Sequence, residues 1–295
     1  MAIFIDESTK VVVQGIGSQG TFHAARNQAY GTKIVAGTHP KKGGTNWEGL
    51  DVPVFATVKE AVSEGGANTS MVMVPAPFTK AAILEAFEAG VQTIIAITEG
   101  VPVHDMTEVY DTVVRKGGVR LIGPNCPGLI SPGKSNVGII PADITKPGKV
   151  GLVSRSGTLT YQIMHELSQA GFGISTCVGI GGDPVIGTQF LDVIKAFAQD
   201  PETEAIAFVG EIGGAEEQKA GEWIAANIPD TPVVGYIAGF EAPEGKQMGH
   251  AGAIVKEGGT GGESAADKKA FLGALGIPVA MNPSEAAQLM IKRLS

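Results

Sequence analysis

At 295 residues, with 43% hydrophobic and 18% charged side chains, the chain is long enough for two soluble domains with a core in each. Its formal net charge of −8 argues against a phosphate-backbone footprint for DNA or RNA. Its 42 glycines follow no collagen-like period and read as tight turns after strands.

The start, Met1-Ala2-Ile3-Phe4-Ile5-Asp6, lacks the basic residues and long apolar stretch of a signal peptide, and no later apolar run approaches the ~20 residues of a membrane span. A cytoplasmic protein without a membrane segment is expected. Cys126 and Cys177 are too few and too far apart for a disulfide scaffold or a metal cluster, so no metal site is expected.

Lys10-Val11-Val12-Val13-Gln14 is a β-branched run that ends in Gly15-Ile16-Gly17-Ser18-Gln19-Gly20, and Thr21 to Tyr30 reads as a helix. Strand, glycine turn and helix in that order suit an anion on the helix N-terminus, where free N–H groups point at it. A dinucleotide site then requires a carboxylate at the end of the second strand. After Lys33 to Gly37 the chain instead offers Thr38-His39-Pro40-Lys41-Lys42, which suits a ribose bearing an extra phosphate, as in NADP or coenzyme A. Solvated surface lysines are the plainer reading.

Strands at 70–74, 93–97 and 120–122 alternate with helices at 81–89, with Ile83, Leu84 and Phe87 on one face, and at 106–116. That alternation implies a parallel, doubly wound sheet with ligands at the carboxyl ends of its strands. Residues 128–135, Gly-Leu-Ile-Ser-Pro-Gly-Lys-Ser, fit the P-loop expression, but they come after a Pro-rich segment and run into Val137-Gly138-Ile139-Ile140-Pro141, which cannot start a helix. The match is rejected. Five prolines from Pro124 to Pro147 mark a connection, dividing the chain into domains 1–124 and 125–295; Cys126 in that connection is a candidate for lining a ligand site.

The second half repeats the alternation. Strand 150–153 leads through Ser154-Arg155-Ser156-Gly157-Thr158 into a helix at 159–169; the turn either caps that helix or receives a phosphate. Strand 175–179 precedes a helix at 188–198, and strand 205–209 ends in Gly210-Glu211-Ile212-Gly213-Gly214. Glu211 either caps the helix that Ala215, Glu216 and Glu217 begin or holds one nitrogen of an imidazole. Strand 232–238 delivers the loop carrying Met248-Gly249-His250-Ala251-Gly252, before helices at 264–275 and 284–292. His250, flanked by small residues, either bonds locally or carries a phosphoryl group covalently. Ser156, Glu211 and His250 all come after strands of one sheet, on the same edge.

These stretches together resemble the α subunits of succinate–CoA ligases (succinyl-CoA synthetases). The matching segments are residues 17–23, Gly123 to Gly128, Ser154 to Tyr161, Gly179 to Pro184, Gly210 to Gly214 and Gly249 to Ala253. The resemblance implies an N-terminal Rossmann-like CoA-binding domain, a C-terminal flavodoxin-like domain, and a β subunit that binds ATP or GTP with Mg²⁺, in an αβ or α2β2 assembly. It implies that Gly17, Ser18, Gln19, Gly20, Lys42, Ile97, Thr98 and Glu99 hold CoA. Tyr161 lies at the substrate site, Ser156 and Gly157 open a helix that stabilises phosphorylated His250, and Glu211 is its partner. The implied reaction converts nucleoside triphosphate, succinate and CoA into the diphosphate, phosphate and succinyl-CoA. Two departures are visible: the first glycine turn, Gly15-Ile16-Gly17, is one residue shorter than the family's Gly-x-Thr-Gly, and residues 258–262 lack a lysine often found there. Competing readings are an α chain for malate or another acid, an NADP-dependent oxidoreductase, and a CoA-sensing protein without catalysis. The oxidoreductase leaves His250 and Glu211 unexplained.

Overall fold

The computed structural model describes residues 2–243, 245–255 and 262–295, so most of the glycine-rich segment 258–262 lies outside the described residues. The chain divides into two compact units: Phe4–Ala142 with Val185–Thr188, and Asp143–Pro184 with Gln189–Ser295 and Met1–Ile3.

The first unit runs β1 (Lys10–Gln14), α1 (Ser18–Tyr30), β2 (Lys33–Thr38), β3 (Thr45–Trp47), β4 (Val52–Phe55), α2 (Val58–Ser63), β5 (Thr69–Val72), α3 (Ala76–Glu88), β6 (Thr93–Ala96), α4 (Val103–Val109) and β7 (Arg120–Ile122), then the hairpin β8 (Gly128–Ser131) and β9 (Ser135–Gly138). Its sheet is ordered β3-β4-β2-β1-β5-β6-β7, parallel apart from the β3–β4 pair. Counted in chain order the parallel strands lie 3-2-1-4-5-6, the Rossmann arrangement. Val11, Val12, Val13, Ile94 and Ile95 are fully buried, because helices cover both faces of a parallel sheet and its strands are apolar throughout.

Helix α1 begins within the glycine motif, three residues before the expected Thr21. Glycine is required there twice over: Gly15 has φ +111°, and a Cβ on Gly20 would lie 1.8 Å from the Gly15 carbonyl oxygen. The segment β3–β4–α2 escaped the sequence reading because β3 (Thr45-Asn46-Trp47) is largely polar, β4 carries Pro53, which argues against a strand, and α2 has only six residues. The expected helix at 106–116 is α4, then a wider turn in which Arg115 N–H reaches the Tyr110 carbonyl at 3.1 Å. The P-loop look-alike is the β8–β9 hairpin, and the Tyr30 hydroxyl accepts the Gly133 N–H at its tip.

The second unit runs β10 (Pro147–Ser154), α5 (Gly157–Gln169), β11 (Ile174–Gly179), α6 (Phe190–Gln199), β12 (Ala205–Glu211), α7 (Glu216–Asn227), β13 (Val233–Ala238), α8 (Ala265–Ala274), β14 (Val279–Ala280) and α9 (Pro283–Leu294). These five strands are all parallel and lie in the order β14-β13-β12-β10-β11, which is 2-1-3-4-5 read from the other edge, the flavodoxin-like order. Phe190 and Phe208 meet edge to face at 6.2 Å in the core. Gly151 and Gly235 leave room for the rings of Phe197 and Phe208, which a Cβ would meet at 2.7 and 2.5 Å. In both units the chain reverses its direction of winding beside the first strand, between β1 and β5 and between β10 and β12. The loops after those strands border the crevices where such folds bind ligands.

Candidate active site

Strand β10 ends at Ser154, whose hydroxyl donates to the Ser156 carbonyl (2.7 Å) and accepts the Ser156 N–H (3.0 Å). The tight turn is thus held by Ser154. Ser156 occupies the N-cap of α5 without making a side-chain cap bond, so the helix presents its N-terminal amides and a Ser156 hydroxyl not used for capping. The partial positive charge there favours an anion.

One strand over, β12 ends at Glu211, which is 6% exposed. Its Oε1 accepts from Nη1 of Arg155 at 3.0 Å, and its Oε2 lies 2.6 Å from Nδ1 of His250. His250 is held by its loop, in which Gly245 N–H donates to Val255 O, Met248 N–H to Ala253 O and Ala253 N–H to His250 O. Two glycines let the loop settle this deep. A Cβ on Gly182 would lie 2.4 Å from the His250 ring, and one on Gly213 would lie 2.3 Å from the Gly252 carbonyl oxygen.

Ser156, Glu211, His250, Tyr236 and Phe240 share a cavity of about 520 Å³ at the carboxyl ends of β10, β12 and β13. The Glu211 hydrogen bond and charge raise the His250 pKa above its ordinary value, with a smaller lift from Asp183; partial burial and Arg155 act the other way. Because Nδ1 is engaged by the carboxylate, Nε2 is the nitrogen left to react. The Nε of Arg155 is a buried donor without a partner, a further group suited to an anion.

Tyr161 lies half-buried within α5 and does not line this cavity among the described residues. Glu211 does not cap α7, where Ala215 takes the cap position. Arg155, Glu217 and Lys268 had no role in the sequence reading. Nothing in their local pattern marks them, since charged residues in a turn or on a helix ordinarily face water.

In the first unit a cavity of about 760 Å³ sits past the ends of β1, β2 and β5, lined by Gln14, Gly15, Gly17, His39, Val74 and Phe78 among others. Gly17 is on its wall, Ser18 and Gln19 are exposed in the first turn of α1, and Gly20 is buried against Gly15. Lys42 is exposed in the turn after β2. Ile97, Thr98 and Glu99 come after β6 outside the cavity wall, but the Thr98 hydroxyl donates to the Val74 carbonyl at 2.7 Å. Phe78, 63% exposed at the cavity, is an aromatic that the sequence reading passed over. Cys126 is buried, donates to the Ala96 carbonyl and lines neither cavity; burial alone pushes the Cys177 thiol up.

The Rossmann-order unit places a crevice beside a glycine turn, and the flavodoxin-order unit places one that holds a carboxylate-bound histidine, the architecture of a two-unit α/β protein with a ligand crevice in each. Residues 6–100 match the family described as CoA binding domain, and residues 153–275 the family described as CoA-ligase. The chain is 56% identical to succinate–CoA ligase (ADP-forming) subunit alpha 2 of Archaeoglobus fulgidus, covering all of both chains. It is 53% identical to the alpha subunit of the corresponding Aquifex aeolicus ligase, over all of this chain and 95% of that one. The chain belongs to the succinate–CoA ligase α-subunit family. The fold extends to Methanosaeta concilii ATP citrate lyase at 24% identity, with a TM-score of 0.86 over 99% of this chain and 50% of that one. Among the described residues no helix is long and apolar enough to cross a membrane.

Proposed function

We propose that this chain, with a nucleotide-binding β subunit, catalyses the reversible conversion of nucleoside triphosphate, succinate and CoA to nucleoside diphosphate, phosphate and succinyl-CoA. Residues 1–124 supply CoA, through Gly17 to Gly20, Lys42 and Ile97 to Glu99, and residues 125–295 carry the phosphoryl group on His250. The observation that carries this reading is the 2.6 Å contact from Glu211 to Nδ1 of His250, in a cavity shared with the α5 N-terminus.

In the first step the Nε2 lone pair attacks the γ-phosphorus. The Nε2–P bond forms, the bond to the bridging oxygen breaks, and the diphosphate leaves with Mg²⁺ on the β subunit. The Nδ1 proton stays in the bond to Glu211, whose negative charge offsets the positive ring. Ser156, Gly157 and the α5 amides hold the phosphoryl oxygens. A succinate carboxylate oxygen then attacks phosphorus as the Nε2–P bond breaks, forming succinyl phosphate at the α5 N-terminus. The CoA sulfur attacks the acyl carbon, the acyl carbon–oxygen bond breaks, and phosphate departs carrying the thiol proton. In this reading the enzyme is cytoplasmic and works as an αβ or α2β2 assembly, with ATP or GTP chosen by the partner.

The test is to co-express the chain with its β partner and supply γ-labelled ATP or GTP with Mg²⁺. Acid-labile, base-stable label on this chain, discharged by succinate plus CoA and missing in His250→Asn, is expected. A complex that binds nucleotide yet takes no label overturns the reading.

A further inference from the structure

Lys268 in α8 is fully buried, and an ammonium group is costly to bury unless every donor is matched. It is matched threefold. Nζ donates to the Glu211 carbonyl at 2.7 Å, to the Gly213 carbonyl at 2.7 Å and to Oε2 of Glu217 at 2.5 Å. Glu217, in α7 and 2% exposed, also accepts the Glu211 N–H on its Oε1 at 3.1 Å. The backbone of Glu211 is therefore gripped at both its N–H and its C=O by one ion pair. Gly210 makes room for that grip, because a Cβ there would lie 2.5 Å from the Glu217 carboxylate. Replacing a buried ion pair by apolar residues of similar volume is often neutral for stability. The distinctive consequence of this one is where it points the Glu211 side chain.

We propose that Lys268 and Glu217 are positioning residues of the phosphoryl-transfer site, setting the backbone of residues 211–213 and thereby the aim of the Glu211 carboxylate at Nδ1 of His250. The inference rests on the ligase reading above. Among the described residues, the charged groups facing the imidazole are Glu211, Arg155 and Asp183, with Glu241 on the same cavity wall; Lys268 acts through the 211–213 backbone.

The test uses the assembled enzyme and single-turnover phosphorylation of His250 across pH, comparing wild type, Glu211→Gln and the double variant Lys268→Met with Glu217→Gln. The double variant removes both charges of the pair, so neither is left buried alone, and the carboxamide introduced by Glu217→Gln can still accept the Glu211 N–H. Expected is an assembled, nucleotide-binding enzyme phosphorylated about a hundredfold more slowly, the loss typical of a misplacement near 1 Å. Its acid limb should move to lower pH, toward that of Glu211→Gln. An assembled double variant with the wild-type rate and acid limb overturns the proposal and leaves the pair a purely structural one. Should the double variant fail to assemble, Glu217→Gln alone decides. A smaller shift of the acid limb in the same direction supports the proposal, and an unmoved limb overturns it. Absence of label in wild type instead removes the ligase reading, so the two failures are distinguishable.

Discussion

A histidine attacks phosphorus through an unprotonated ring nitrogen, and a partner on the other nitrogen fixes which one that is; here the partner is Glu211. The same contact stabilises the imidazolium, so the neutral, attacking form is reached at higher pH than for an ordinary histidine. His250 phosphorylation should therefore rise with pH through that raised pKa. In Glu211→Gln the acid limb should move to lower pH while the maximal rate falls by roughly a hundredfold; a limb that stays in place would remove Glu211 from the site. The linked stability has the matching sign. The His250–Glu211 contact contributes fully below the ordinary histidine pKa and is lost as pH rises through the raised value. His250→Asn should end turnover while calorimetric CoA binding is unchanged, since the two cavities lie in separate units. Ser156, Glu211 and His250 were legible because each comes after a strand of one sheet. Lys268 and Glu217 were not, because their burial depends on α7 and α8 packing together.

At the scale of elements, the site is set by the turns and loops at the strand ends. A Cβ on Gly182 would overlap the His250 ring, and Gly182→Ala should displace the ring and slow phosphorylation with little change in melting temperature. Comparable losses of both would instead make Gly182 a folding residue. Gly15 is a different case, since its φ of +111° and the Met73 backbone at 2.7 Å leave no place for a Cβ. Gly15→Ala should cost about 1–2 kcal/mol from the left-handed backbone alone, read as a lower denaturant midpoint, and should weaken CoA binding. The hairpin at 128–138 shows the limit of motif reading. Its residues fit a phosphate-binding expression, yet the strand–turn–helix context that aims amides at an anion is missing.

For the whole molecule, two doubly wound units each place a cavity beside the strand at which winding reverses. CoA should stabilise the chain against heat, by about 2.7 kcal/mol at a hundred times its dissociation constant, and NADP should not. Stabilisation by NADP alone, seen in a thermal-shift titration, would return the first cavity to the oxidoreductase reading. The absence of a carboxylate at the end of β2, where Thr38, His39 and Pro40 stand, already weighs against a ribose clamp of the NAD type.

The sequence by itself determined the alternation of strand and helix, the glycine turn before α1 and the three strand-end residues Ser156, Glu211 and His250, because each is written in local periodicity or in a short motif. The elements β3, β4 and α2 escaped it, since β3 is largely polar, β4 is interrupted by Pro53 and six residues of α2 show no helical period. Only the tertiary structure decided that Glu211 binds His250 and Arg155 rather than capping α7, and that Lys268 is a buried clamp rather than a solvated lysine. Those facts depend on residues up to 57 positions apart meeting at one sheet edge, which no local pattern encodes.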